Sequence, residues 1–187
     1  MRLFFLGIYF LTSIFLTGCG YYFQGTKNPL KDLGIQRIYV EAFTNKSYRP
    51  GIEQVFTTAM IREIEKSKVF KLVNSPKAAD AVLKGSITSA DSSLSATTPT
   101  TLSDNSTYQV ISTYNASVAC SFSLEDSAGI TIFAQSISGQ KVYPGSVITG
   151  EAGATVPLVN ESEQRLAYQF LASQMMANLY QRMIDIF

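Results

Sequence analysis

A run of alternating side chains between Tyr108 and Leu124 constrains the fold more than any other part of this 187-residue chain. Apolar residues fall at nearly every second position, and Ser, Thr and Asn fill most of the positions between them. A period of two sends successive side chains to opposite faces of a strand, so the run predicts one long strand with a buried face and a solvated face. Cys120 shares the apolar positions. It is therefore predicted to point into the core as a small buried side chain.

The residues after this strand predict a hairpin. Glu125 and Asp126 precede Ser127, Ala128 and Gly129, which are residue types typical of a turn, and the stretch "ITIFAQSISG" then supplies a returning strand. Two neighbouring carboxylates could form a catalytic pair. Their position in a solvated turn favours a structural role instead.

Two stretches have helical periodicity. Apolar residues between Ile52 and Ile64 recur at spacings of three and four, which predicts a core-facing helix of about four turns. Short strand patterns lie on both sides of it, so a strand, helix and strand crossover over one sheet face is expected. The second helix is predicted to begin at Asn160, with Glu163 at the capping-box position. Its two apolar stripes indicate either deep burial or a second packing partner.

Two other segments lack such periodicity. Thr88 to Thr107 is rich in Ser and Thr and is predicted to be a surface loop, with partner contact as its other candidate role. Residues 139–159 contain four glycines and two prolines and are predicted to be an irregular connection. Taken together, these patterns predict an α+β fold. We expect a two-layer sandwich, with two helices packed on one face of a mixed four- to five-stranded sheet.

The amino terminus has the layout of a secretory signal peptide. Arg2 precedes an apolar run from Leu3 to Leu16 that is too short to span a bilayer. The order Leu-Thr-Gly before Cys19 resembles a bacterial lipobox, so we expect residues 1–18 to be removed and the Cys19 thiol to carry lipid. Gly20, rather than aspartate, follows the cysteine, which favours delivery to the outer membrane. Residues 19–34 are then a tether, and residues 35–187 form a single α+β domain.

Composition excludes several function classes. The chain has no histidine, which removes the commonest general base and metal ligand. Without the leader, 14 basic residues balance 14 acidic ones, so binding to nucleic acid through bulk positive charge is not expected. If Cys19 carries lipid, Cys120 has no partner for a disulfide. The sequence therefore predicts a protein that is not an enzyme and that has no cofactor and no metal.

Three stretches resemble the LptE family of lipopolysaccharide-assembly lipoproteins. They are the "CGY" start at Cys19, the segment "FTNKSYRPG" from Phe43 to Gly51, and the strand "ADAVLKGSI" from Ala79 to Ile87. The resemblance implies a lipid-anchored outer-membrane protein that faces the periplasm. It also implies the role of plug and assembly partner of the LptD β-barrel, in delivering lipopolysaccharide to the outer leaflet.

The same resemblance implies contact with lipopolysaccharide through basic side chains near strand ends and loops. Lys84 and Lys141 are the candidates, since each lies on or beside a predicted strand. Two alternatives stay open. One is another outer-membrane lipoprotein binding module, either an activator of a peptidoglycan synthase or a component of a secretion channel. The other is a lipid-anchored enzyme, which without histidine would need isolated carboxylates, Ser-Lys chemistry or a metal held by oxygen ligands.

Overall fold

The computed structural model describes residues 30, 33–101, 105, 107–145 and 157–185, with the backbone alone at 100, 108–112 and 157–160. The predicted signal peptide, Cys19 and nearly all of the predicted tether lie outside these residues. No helix in the described ranges is both long enough and apolar enough to cross a membrane.

Six strands and two α-helices make up the described domain. In chain order they are β1 (Arg37–Val40), β2 (Thr44–Asn45), α1 (Ile52–Ser67), β3 (Lys71–Leu72), β4 (Ala81–Thr101), β5 (Thr107–Asp126), β6 (Thr131–Pro144) and α2 (Pro157–Asp185). The strands form one sheet in the order β3-β1-β4-β5-β6, and β2 also pairs with β4. Pairing is parallel among β1, β2, β3 and β4, and antiparallel from β4 to β6. The predicted α+β sandwich with a mixed sheet is confirmed. The sheet has six strands, whereas four to five were expected.

Both helices pack on the same face of the sheet, and the core lies between the two layers. On β5 every second residue from Ala116 to Leu124 is buried, as the alternation predicted, and Cys120 is only 2% exposed. The first helix matches its prediction, and its core side chains are Ile52, Phe56, Ala59, Met60 and Ile64. The second helix buries a longer set, which includes Leu171, Met175, Met176, Leu179 and Met183.

The second helix differs from its prediction in two respects. It begins at Pro157, not at Asn160, so Asn160 is not its N-cap and Glu163 is not in the capping-box position. Proline is favoured in the first helical turn because its missing N–H would have no helical partner there. Of the two open interpretations, burial accounts for most of the apolar surface. Leu166 and Phe170 nevertheless stay 57% and 48% exposed.

The loop predicted from Thr88 to Thr107 is wrong, because β4 continues to Thr101 and β5 begins at Thr107. The chain up to Thr101 and from Thr107 onward forms a two-stranded ribbon, in which Thr97 pairs with Ile111 and Thr101 with Thr107. Residues 102–104 and 106 of the predicted loop lie outside the described residues. Threonine suits an extended backbone, and the antiparallel ladder satisfies its polar groups without a core. Beyond Ile87 the other side of β4 has no neighbouring strand among the described residues, so Pro99 is tolerated at a sheet edge.

The irregular connection predicted for residues 139–159 is also wrong at both ends, because β6 covers its first residues and α2 begins at Pro157, while residues 146–156 lie outside the described residues. Strand β6 runs on to Pro144, where it pairs with Thr113 of β5. Gly139 lies inside this strand because α2 approaches it closely. A Cβ atom there would lie 2.9 Å from the Met175 sulfur and 3.1 Å from a Leu171 methyl carbon. The glycine is thus a packing requirement rather than a mark of irregular structure.

Asp80 and Arg37 join the start of β1 to the turn before β4. The Arg37 guanidinium donates to one Asp80 oxygen at 2.6 and 3.1 Å, and the backbone N–H groups of Gln36 and Arg37 donate to the other at 3.0 and 2.8 Å. The guanidinium, followed by these backbone donors, lowers the pKa of Asp80 from 3.8 to about 2. Folding therefore favours the ionised carboxylate. Its contribution to stability is complete above the unfolded pKa and is lost as pH falls toward 2.

We expect Asp80→Asn to lower the free energy of unfolding by about 1 kcal/mol at neutral pH, because it weakens charge-assisted hydrogen bonds at a partly exposed site. Near pH 2 the difference from the native sequence should shrink, since the native carboxyl is then partly protonated. Urea unfolding at both pH values measures this change. Asp185→Asn, at an exposed residue of α2, is the control. A difference that is equal at both pH values would contradict the prediction.

Candidate functional site

The face of the sheet opposite the helices is open and polar. Because Leu83 and Ile87 of β4 point into the core, Lys84 and Ser86 point to this open face. The register sets Lys84 beside Ser123 and Ser86 beside Ser121, so short hydroxyl side chains continue across to β5. The outcome is a flat surface that is rich in hydroxyl groups.

Two lysines stand over a shallow depression in this face. The depression has a volume of about 360 Å³, and we call it the hydroxyl basin; its polar lining residues are Thr44, Lys46, Lys84, Ser86, Ser121 and Ser123. Strand β2 brings Lys46 there, because Thr44 pairs with Ser86 and the Lys46 N–H donates to the Ile87 carbonyl at 2.9 Å. The Ser86 Oγ is buried and makes no hydrogen bond to any described residue.

Lys84 already has one anionic partner. Its Nζ donates to a Glu125 carboxylate oxygen at 2.7 Å, and this hydrogen bond raises the pKa of the Lys84 ammonium. The pair is partly exposed, with 46% of the Lys84 side chain and 24% of the Glu125 side chain accessible. Glu125 therefore acts as a counterion.

Its neighbour Asp126 has the structural role that the sequence predicted. One Asp126 carboxylate oxygen accepts hydrogen bonds from the N–H groups of Ala128 and Ile130, both at 2.9 Å. Gly129 in this turn has a φ of 79°, a conformation that favours glycine. The two carboxylates thus have separate structural partners.

Lys141 lies on a strand, as predicted, but on the other face of the sheet. It pairs with Ala116, whose side chain is fully buried on the helix side, and its ammonium lies 4.2 Å from the centroid of the Phe170 ring. Lys84 pairs with Ser123, seven positions further along β5. At the usual rise these levels are about 23 Å apart along the strand. The structure does not bring the two predicted residues together.

Arg49 forms a polar cluster that sequence reasoning missed. Its guanidinium lies 4.8 Å from the Tyr168 ring centroid, and Nη1 donates to Gln164 at 2.7 Å. The Gln164 side-chain amide donates in turn to the Tyr143 hydroxyl at 3.0 Å. That hydroxyl also shares a hydrogen bond of 2.5 Å with the Ser92 hydroxyl. The cluster joins the segment before α1 to α2 and the sheet. It is a structural link, since most of its groups bind one another; the Arg49 Nε is buried and makes no hydrogen bond to a described residue.

Chemically, the hydroxyl basin offers cations and hydroxyl groups. The buried Cys120 thiol is unsuited to nucleophilic attack, because burial raises its pKa to about 12. Across the described ranges, no group of three or more Cys, Asp or Glu side chains is placed to hold a metal ion. Ammonium and hydroxyl groups in this arrangement can attract an anionic group and form hydrogen bonds with it. Lys46 had no sequence signal of its own, because the parallel pairing of β2 with β4 places it there.

A protein-family model matches most of the chain. The model is described as LptE, lipopolysaccharide-assembly, and it covers residues 35–183, which include every described strand and nearly all of α2. No curated protein sequence matches this chain.

Several solved structures are similar in fold at low sequence identity. Uncharacterized lipoprotein B from Nitrosomonas europaea is 14% identical, with 81% of this chain and 84% of that one covered and a TM-score of 0.49. A dodecameric PelC variant from Paraburkholderia phytofirmans is 13% identical, with 80% of this chain and 89% of that one covered and a TM-score of 0.45. Rare lipoprotein B from Shewanella oneidensis is 15% identical, with 75% of this chain and 92% of that one covered and a TM-score of 0.42. These likenesses concern the fold alone and carry no argument about function.

Proposed function

The chain belongs to the LptE family of lipopolysaccharide-assembly lipoproteins, and from this membership we propose that it is the plug and assembly partner of an LptD-type outer-membrane β-barrel. In this role it helps to deliver lipopolysaccharide to the outer leaflet and catalyses no reaction. The observation that carries the proposal is the family match over residues 35–183, because it extends over the folded domain rather than over one motif.

The open sheet face supports a position inside a barrel. The interior walls of large outer-membrane barrels are polar, so a plug needs a surface that exchanges water for other polar groups without burying lone charges. The open face meets this need in large part, since Ser86, Ser121 and Ser123 are short hydroxyl residues and Lys84 already has a counterion in Glu125. Lys46 forms no ion pair with a described residue. The helices on the other face keep the core closed.

The proposed localisation depends on the lipid at Cys19. We propose that the processed chain is anchored in the outer membrane by acyl chains at this residue and that its domain faces the periplasm. The tether proposed for residues 19–34 would link the anchor to β1. Barrel and plug would then share one membrane, which raises their effective concentration for assembly.

We also propose Lys84 and Lys141 as contacts for lipopolysaccharide, whose phosphate groups attract ammonium groups. The geometry favours Lys84 of the two. Lys46 and three serine hydroxyls share the hydroxyl basin with it, so a phosphate there could gain two cations and several hydrogen bonds. Lys141 stands apart, on the helix side and over an aromatic ring.

Affinity purification of the full chain from solubilised outer membrane tests the proposed function. We expect a large β-barrel to co-purify in about equal amount, and we expect depletion of the protein to lower both assembled barrel and surface lipopolysaccharide. Normal levels of both after depletion would reject the transport role. Recovery of a peptidoglycan synthase or a secretion channel in place of a barrel would favour the alternative lipoprotein functions.

Lysine substitutions in the same purification test the lipopolysaccharide contacts. We expect the pair Lys46→Gln and Lys84→Gln to lower co-purified lipopolysaccharide roughly three- to tenfold, because two cations leave one basin, while barrel recovery is unchanged. Lys141→Gln should have a smaller effect. Lys66→Gln, at an exposed lysine of α1, is the control. Unchanged lipopolysaccharide in the pair variant would remove the hydroxyl basin from the proposal.

A further inference from the structure

Strand β6 is the long open edge of the sheet. It is last in the strand order, and none of the described segments pairs with its outer side. Every second residue of such an edge directs its N–H and C=O groups outward, where another strand can bind them. The opposite edge, β3, is only two residues long, whereas β6 has 14. Edges are commonly protected by charged residues and proline, but β6 has only Lys141 and the terminal Pro144.

Helix α2 lies over this edge and forms one wall of a groove. The close approach at Gly139 brings the helix down onto β6. The groove has a volume of about 410 Å³ and lies between Ile137, Ser138 and Gly139 of β6 and Met175, Asn178 and Arg182 of α2. We call it the β6 groove. A strand added beside β6 would therefore run under the flank of α2, with alternate side chains facing the helix.

The charges along the β6 groove are positive. Arg182 lines it, with its Nε donating to the Asn178 side chain at 2.7 Å, and Lys141 lies further along β6 against Phe170. Neither cation forms an ion pair with a described residue, and no acidic side chain lines the groove. A segment with acidic residues is thus electrostatically complementary to this surface.

We propose that the open edge of β6 binds an extended, acidic segment of the barrel partner as an additional antiparallel or parallel strand. The inference rests on the proposed function for the identity of the partner and deepens it by naming the contact. The backbone of β6 supplies the hydrogen bonds, and alternate side chains of the added strand face α2. Acidic residues four or six positions apart in that segment, an even spacing that keeps both on the α2 side, would reach Arg182 and Lys141 together.

Hydrogen exchange on the purified complex tests the β-strand pairing. Electron-transfer fragmentation resolves exchange at single amides, and the complex is compared with the isolated full chain. We expect slower exchange at every second amide between Thr131 and Pro144, which is the pattern of new backbone hydrogen bonds. The amides of β3 are the control edge and should be unchanged.

A charge reversal tests the acidic character of the bound segment. Arg182→Glu should lower barrel recovery roughly three- to tenfold, because it sets like charges against each other. Arg62→Glu makes the same charge change at an exposed residue of α1 and should leave recovery unchanged.

The outcomes separate this inference from the function on which it rests. If the barrel co-purifies while exchange in β6 is unchanged or slows at all amides alike, the strand addition is wrong and the plug role stands. If Arg182→Glu and Arg62→Glu behave alike, the acidic complementarity is wrong. If the native chain recovers no barrel, the proposed function fails, and the inference fails with it.

Discussion

Replacing Gly85 with valine is expected to lower the free energy of unfolding by about 3 kcal/mol, which is the upper range for forcing extra atoms into a packed core. Gly85 lies on β4 beneath the ring of Phe43. A Cβ atom there would stand 2.6 to 2.8 Å from three carbons of that ring. The ring has little room to move, since it is 3% exposed and packs edge-on against Phe122 at a centroid distance of 5.3 Å.

Thermal unfolding measures the effect of Gly85→Val, and we expect the midpoint to fall by roughly 6 to 12 °C for a domain of this size. Ser123→Val is the matched control. It adds the same side chain on the neighbouring strand, but on the open face, so its effect should be small. If Gly85→Val unfolds at the same temperature as the native chain, the packing of Phe43 over β4 is wrong.

Replacing Cys19 with alanine is expected to abolish membrane anchoring of the processed protein. Each buried methylene of an acyl chain contributes about 0.8 kcal/mol, so the loss of several chains should lower the membrane-bound fraction by more than roughly a hundredfold. The variant should be found either uncleaved or released into the soluble fraction. Membrane fractionation and mass spectrometry of the amino-terminal peptide measure both outcomes.

Cys120→Ala is the matched control for that experiment. Cys120 is buried in the core, and its raised pKa keeps the thiol protonated, so it is no candidate for acylation. Its substitution should leave fractionation unchanged. A processed Cys19→Ala protein that remains in the membrane would contradict the lipobox and would require another means of attachment.

The elements that could be predicted from the sequence are those in which the spacing of apolar residues shows which face is buried. Strand β5 alternates because one face meets the helices, and α1 repeats every three to four residues for the same reason. The outer half of β4 has no such regular spacing of apolar residues. Past Ile87 its one partner strand among the described residues is β5, and its Ser and Thr residues between Ser93 and Thr98 are exposed, so its composition is that of a loop.

The candidate site shows the same limit. The sequence prediction put Lys84 on a strand without assigning it a face, and the alternation of Leu83, Lys84 and Ile87 is the signal that could have assigned it. Nothing comparable marked Lys141, because apolar residues occur at both parities of β6, as Ile132 and Phe133 show. Lys46 came to the hydroxyl basin through the pairing of β2 with β4, a long-range contact that local sequence does not encode. Membership of a face depends on register, and register is a tertiary property.

The two-stranded ribbon formed by the end of β4 and the start of β5 makes local stability uneven across the molecule. It extends beyond the point where β6 ends opposite Thr113, and its last described pair is Thr101 with Thr107, whose hydroxyl groups share a hydrogen bond at 3.2 Å. A hairpin without a packed face is marginal in water. The described pairs beyond Thr113, from Thr97 with Ile111 to Thr101 with Thr107, should therefore open in local fluctuations at a small fraction of the cost of global unfolding. The sandwich therefore keeps one conformation, whereas the ribbon can change its conformation on contact with a partner.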